Sequence, residues 1–292
     1  MMTEFKEKTA LNVGLFRLCI AVFVVNWMSI FAYGLLQHFT STEELFSYED
    51  PLWAAVLPLI LIAFVVLAFV KKSALLLKII SALCIVVYIC GGVMRFYNLF
   101  TITSPYYHSI HLSVTCLVVR EVLNIILNTG LVVYVAAFFT RSAWQVDEEQ
   151  ETLNLPLFRV VAIVFAVWGL GGIAETILKH LEIVANSANV FPWQGVFFSL
   201  LSLTAGIYAL VKRNSFVLKV YALFLLANHF GGCISAMLES FSGAMPVGHI
   251  LVDMFLSSAL VFYMATFFIE PEKNRIYLQK LKSLLLKWKR LT

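Results

Sequence analysis

The sequence is short of charge: only 13% of its 292 residues are Asp, Glu, Lys or Arg, against about a quarter in a water-soluble domain. Proline is scarce, with seven residues, so punctuation of long elements is rare. The five cysteines, Cys19, Cys84, Cys90, Cys116 and Cys233, form no C-x-x-C pair and lie in or near apolar runs. That pattern excludes a membrane thiol oxidoreductase with paired outer cysteines, and they read as small core residues. No G-x-S-x-G and no P-loop sequence is present, so hydrolytic and nucleotide-driven activities lack their motifs.

What remains is apolar. Hydrophobic residues make up 61% of the chain and the mean hydropathy is +0.89. A secreted enzyme, a nucleic-acid-binding module and a disordered tail protein are thereby excluded, and a multi-span membrane protein is left. Eight apolar runs of about 20 to 25 residues fall at 12–37, 52–70, 74–98, 115–139, 157–179, 191–211, 216–240 and 247–268. They are continuous and show no period-2 alternation, which predicts helices rather than barrel strands. The first run is too long for a signal peptide and lacks a small-residue cleavage site.

Basic residues set the expected orientation. Of 21 Lys and Arg, all but Arg95, Arg120 and Lys179 fall on one side of an eight-span layout, including Lys71, Lys72, Lys212 and Arg213. The other side carries Glu43, Glu44, Glu49, Asp50 and Glu182, with the stretch from Pro105 to His111. The positive-inside rule then predicts cytoplasmic N and C termini, in the inner membrane of a bacterium.

The chain also repeats itself. Phe16–His38 set against Phe158–His180, 142 residues on, gives 8 identities in 23 positions, among them Arg17 with Arg159 and His38 with His180. The second and third spans continue at an offset of 141, where Lys71, Lys72 and Lys78 meet Lys212, Arg213 and Lys219. The fourth and eighth match at 129, through Tyr134 with Tyr263 and Phe139 with Phe268. Four spans return the chain to its starting side, so the copies are parallel and related by an axis along the membrane normal. The expected division is a first four-helix unit (1–142), an acidic cytoplasmic linker (143–156), a second four-helix unit (157–270) and a basic amphipathic tail on the membrane surface (271–292).

Each copy opens with Leu-Phe-Arg and closes its first helix in a polar pair, Gln37-His38 or Lys179-His180. A basic turn follows, then a third helix with a glycine pair, Gly91-Gly92 or Gly231-Gly232. The unit resembles the DoxX-type four-helix membrane unit, present as two tandem copies. It departs from that pattern where a glycine usually precedes the closing lysine: Gly34 stands before His38 in the first copy, and Glu175 takes the neighbouring place in the second. Members of the family are linked to quinone reduction and sulfur oxidation, so the resemblance implies a redox-associated membrane subunit.

Ionisable side chains inside the spans are the informative positions, because each costs about 2.5 to 3.5 kcal/mol at the bilayer centre. The repeat pairs four polar or aromatic places: Tyr33 with Glu175, Tyr88 with His229, Arg120 with His249, and Asn124 with Asp253. Arg120 and Asn124, like His249 and Asp253, are spaced i and i+4 and share a helix face. The expectation is one pocket inside each copy, opening outward, with Tyr33, Tyr88, Arg120 and Asn124 in the first and Glu175, His229, His249 and Asp253 in the second. The first suits an anionic or carbonyl-bearing ligand. The second can relay protons, hydrogen-bond a quinone-like carbonyl, or hold a transition metal, although no metal site is assigned. Against these stands a plain structural role, since His249 and Asp253 follow a polar loop and can be hydrated or cap a helix. His108 and His111 read as an ordinary interfacial loop.

The preferred function is a redox-associated or hydrophobic-ligand-binding membrane subunit, with the lipid bilayer and another membrane protein as partners, no nucleic acid and no cofactor that can be named. A secondary transporter is the alternative. It is disfavoured because transporters break their helices at the midplane, and Pro58 alone among the prolines lies well inside a span. A non-catalytic scaffold or assembly partner is the third reading.

Overall fold

The computed structural model describes residues 11–40, 51–101, 114–141, 153–185, 193–240, 247–270, 276 and 279. Most of the acidic linker, the stretch bearing His108 and His111, and nearly all of the basic tail lie outside them. So do the side chains of His38, Arg95, Lys179, His180 and Glu239. Among the described residues the fold is all-α, without a β-strand apart from one isolated bridge between Leu11 and Arg141.

Among the described residues ten α-helices follow in order: α1 (Val13–Thr40), α2 (Pro51–Val70), α3 (Ala74–Thr101), α4 (Val114–Ile126), α5 (Thr129–Ala136), α6 (Leu155–Ala185), α7 (Trp193–Lys212), α8 (Ser215–Ser240), α9 (Val247–Phe255) and α10 (Ser258–Ile269), with a short 3-10 turn at Ala137–Phe139 after α5. Seven helical stretches among the described residues are long and apolar enough to cross a membrane, so the chain is a multi-pass membrane protein. In α2 the apolar stretch is shorter, Pro58–Val70. Leu59, Ile60, Phe64 and Leu67 on α2, like Phe197, Leu200 and Ile207 on α7, face outward. An apolar belt of this extent is untenable in water and natural against lipid tails.

The expected spans 115–139 and 247–268 are not continuous helices. Each breaks near its middle, between α4 and α5 and between α9 and α10. Asn128 and Ser257 adopt extended backbone there, and their side-chain oxygens accept the amides of Leu131 and Ala259. The breaks therefore owe nothing to proline. A residue that competes for the backbone ends one helix and caps the next.

The core is built on α1 and α6, the most buried of the helices. Leu15, Cys19 and Phe23 of α1 and Phe158, Val161 and Phe165 of α6 are enclosed. Phe23 stacks on Tyr134 at 4.8 Å, and Phe165 meets Phe262 edge-on at 6.5 Å. α1 forms a hairpin with α2, and α6 with α7. The second hairpin is drawn very close. A Cβ on Gly206 would stand 2.6 Å from the carbonyl oxygen of Ala162 and 2.7 Å from the amide of Ala166, so here backbone meets backbone.

Local hydrogen bonds recur at the sequence offsets. Lys72 (φ 47°) and Arg213 (φ 50°) hold the left-handed position that ends α2 and α7. The amides of Ser73 and Asn214 reach back to the carbonyls of Ala68 and Ala209, the pattern of a Schellman turn with a basic residue where glycine is usual. Asn12 and Asn154 accept the amides of Leu15 and Leu157, capping α1 and α6. The same two side chains also bond each other reciprocally, at 2.8 and 2.9 Å. Their own amides donate to Thr140 and Ile269, which tethers each cap to the end of the element after a break.

Asn12 is buried, so its replacement removes a cap and strands its partner's amide. Asn12→Ala or Asn154→Ala is expected to lower stability by about 1 to 2 kcal/mol each. The double variant should cost clearly less than the sum, because the reciprocal bonds are lost once. Thermal unfolding of the detergent-solubilised variants checks this; additive losses would show that the pair does not act as a unit.

Candidate functional site

The two helix breaks open onto the interior of the bundle. A cavity of about 860 Å³ lies there. α1 lines it with Asn26 and Trp27, α3 with Cys84 and Tyr88, α4 with Arg120 and Asn124, and α6 with Gly171 and Glu175. Its central wall is the first break and the start of α5, Asn128 to Gly130, with Ser258 from the start of α10 beside it. A helix start presents partial positive charge, and Arg120 adds a full one. Glu175 supplies the acidic group of this wall.

The eight candidate residues fall into two groups, divided differently from the expectation of one pocket inside each half. Tyr88, Arg120 and Asn124 share the cavity with Glu175 of the second half. Tyr33 of the first half joins His229, His249 and Asp253. The hydroxyl of Tyr33 donates to Oδ1 of Asp253, and its ring lies 5.3 Å from that of His249. Packing is the reason. α4 lies on α3 and on α6 of the other half, and α9 lies on α8 and on α1 of the other half. Each group is thus completed by the first helix of the opposite half.

The third helices treat the breaks alike. Tyr88 of α3 donates its hydroxyl to the carbonyl of Asn124 at 2.7 Å, four residues before Asn128. His229 of α8 bonds the carbonyl of Asp253 through Nε2 at 2.9 Å, four residues before Ser257. A carbonyl only accepts, so His229 carries its proton on Nε2. Ser29 donates to the carbonyl of Leu256 at 3.0 Å, and Trp168 donates from its indole nitrogen to the hydroxyl of Thr129. Tyr88, His229 and Ser29 thus hold backbone carbonyls that a continuous helix would have satisfied itself.

The side chains of the second group touch one another directly, and Asp253 among them is exposed. Besides Tyr33, Asp253 and the two histidines the group contains Cys233, whose sulfur is 3.8 Å from Nε2 of His229. Nδ1 of His249 is buried and has no hydrogen-bond partner among the described residues. Among the described residues no three His, Cys, Asp or Glu side chains converge as a metal would require.

Neither break was anticipated from the sequence. The signal was there, because Asn128-Thr129-Gly130 and Ser257-Ser258 are capping residues in the middle of apolar runs. Trp168 reads from the sequence as a packing or interface anchor, whereas nothing in the local sequence of Ser29 marks it.

The exchange of first helices is open to a direct check. In a cysteine-free background, Tyr33→Cys with Asp253→Cys is expected to cross-link readily under mild oxidation, and Tyr33→Cys with Asn124→Cys to stay largely unlinked. Gel mobility reads the outcome, and the reverse preference would overturn the grouping. No known protein family, no curated protein and no solved structure matches the chain.

Proposed function

We propose that the protein is a secondary transporter for a small solute bearing a carboxylate or carbonyl, held in the cavity between Arg120, Tyr88, Asn124, Glu175 and the start of α5. The observation that carries this reading is the pair of helix breaks. Non-helical backbone within an apolar span is tolerated where it lines a polar cavity, and discontinuous helices at a repeat interface are the usual substrate sites of transporters. That removes the objection drawn from the lack of prolines. A first-turn backbone and a guanidinium together favour an anionic group, and Glu175 opposite them suits a solute that also carries a donor.

In this reading the chain is two parallel four-helix copies, eight spans in all, with Asn12 and Asn154 meeting on their common axis. The recurrence of caps, turns and breaks at offsets of 142, 141 and 129 supports it. The basic turns at Lys72 and Arg213 face the cytoplasm of a bacterial cell, and both termini lie on that side. The DoxX-like resemblance belongs to the same proposal at the level of the four-helix unit.

A quinone-like ligand, expected from that resemblance, is the second reading. The phenol of Tyr88 and the Arg120 guanidinium can serve a quinone carbonyl, and Trp27, Ile30 and Leu123 add apolar wall. A thermal-shift panel of small carboxylates, neutral analogues and a short-chain quinone separates the two. A carboxylate at one hundred times its dissociation constant should add about 2.7 kcal/mol of stability, and Arg120→Gln should abolish the shift. Uptake of that carboxylate into vesicles then distinguishes transport from binding. A shift with the quinone alone would transfer the proposal to a redox subunit, and no shift with any member would overturn both.

A further inference from the structure

The two polar groups occupy equivalent places but differ in chemistry. Where the cavity has Tyr88, Arg120 and Asn124, the other group has His229, His249 and Asp253. A fixed cation and two neutral side chains are replaced, position for position, by groups that gain or lose a proton. The cavity is open, whereas here Tyr33 and Asp253 are in direct contact.

We propose that the cluster of Tyr33, His229, His249 and Asp253 is a proton-binding site, separate from the solute cavity, and that its occupancy sets whether α9 is tied to α1. It rests on the transport reading for its purpose, as the coupling ion, and on its own geometry for its existence.

The choice of a proton over a metal cation follows from the oxygens. Na⁺ or Ca²⁺ would need several oxygen ligands. The carbonyl of Asp253 is already taken by His229, that of Leu256 by Ser29, and one carboxylate oxygen of Asp253 by Tyr33. Donors therefore stand where a cation would need acceptors. A proton needs one lone pair. The carboxylate of Asp253 offers one, and Nδ1 of His249, buried and without a partner among the described residues, marks a second place for it.

The consequence of binding is mechanical. Ionised Asp253 accepts a charge-assisted hydrogen bond from Tyr33, roughly twice as strong as a neutral one. When a proton from solvent forms an O–H bond on Asp253, that assistance is lost and α9 is released from α1. Asp253 lies six residues into α9, about 9 Å from its start, and its side chain is exposed enough for a proton to reach it. α9 ends at the break, so it can shift without dragging α10. The groups facing Asp253 are Tyr33 from α1, His229 and Cys233 from α8, and His249 from α9 itself. Arg17 of α1 and Lys219 of α8, the other charged residues of those helices with described side chains, lie toward their opposite ends, where Lys219 pairs with Glu270 at 3.2 Å.

The test uses the full chain, cysteine-free, with spin labels at Leu35→Cys on α1 and Leu251→Cys on α9, both exposed positions. Label-to-label distances are measured at about pH 8 and about pH 3, values that bracket the ordinary range of carboxylates and imidazoles, with no solute present. A single short distance is expected at high pH, and a longer or broader distribution, displaced by several Å, at low pH. Asp253→Asn should show the low-pH distribution at both values. If that variant does not fold, Tyr33→Phe takes its place with the same expectation. A wild-type distance that ignores pH, or a response that survives in either variant, would overturn the proposal. Because no solute takes part, failure here leaves carboxylate binding in the cavity standing, and failure of the thermal-shift panel leaves the proton site standing.

Discussion

A peptide group that leaves its helix inside an apolar layer has no water to turn to, and each such group left unpaired costs several kcal/mol. The apolar stretches Val118–Phe139 and Val247–Thr266 of this chain break in their middles and still satisfy that demand. Asn128 and Ser257 take amides of the following helices. Tyr88, His229 and Ser29 donate to carbonyls before the breaks. Of the eight candidate side chains, Tyr88 and His229 are engaged in this way. The polar interior and the broken helices are one arrangement, since neither would persist without the other.

That arrangement explains why the halves of the chain cannot be read as independent pockets. The donors to the breaks come from the third helices and from α1, and the half-helices α4 and α9 lean on the first helix of the opposite half. A chemical difference in one half is therefore felt across the interface. Arg120 in the cavity and His249 beside Tyr33 hold corresponding positions, a guanidinium in one group and an imidazole in the other.

Much of the architecture could be read from composition and periodicity. The start of α3 at Ala74 is where the apolar run begins, and the basic turns at Lys72 and Arg213 end their helices where the charges appear. Tyr88 and His229 bond equivalent carbonyls, those of Asn124 and Asp253, each four residues before a break. The breaks themselves were hidden because apolar residues flank them on both sides, and hydropathy averages over a single Asn or Ser. The assignment of Glu175 and Tyr33 to opposite halves was hidden for a different reason. It depends on which first helix α4 and α9 choose, and that is decided by packing between elements far apart in sequence, with no local residue to announce it.

The reciprocal amide pair between Asn12 and Asn154 sits at the very start of α1 and α6. A junction of that kind fixes the two most buried helices to each other at one end. Over the 28 residues of α1, about 42 Å at 1.5 Å per residue, it makes each helix a lever arm. A turn of about five degrees about the asparagines would hardly be felt beside them, yet would carry the far ends roughly 4 Å apart.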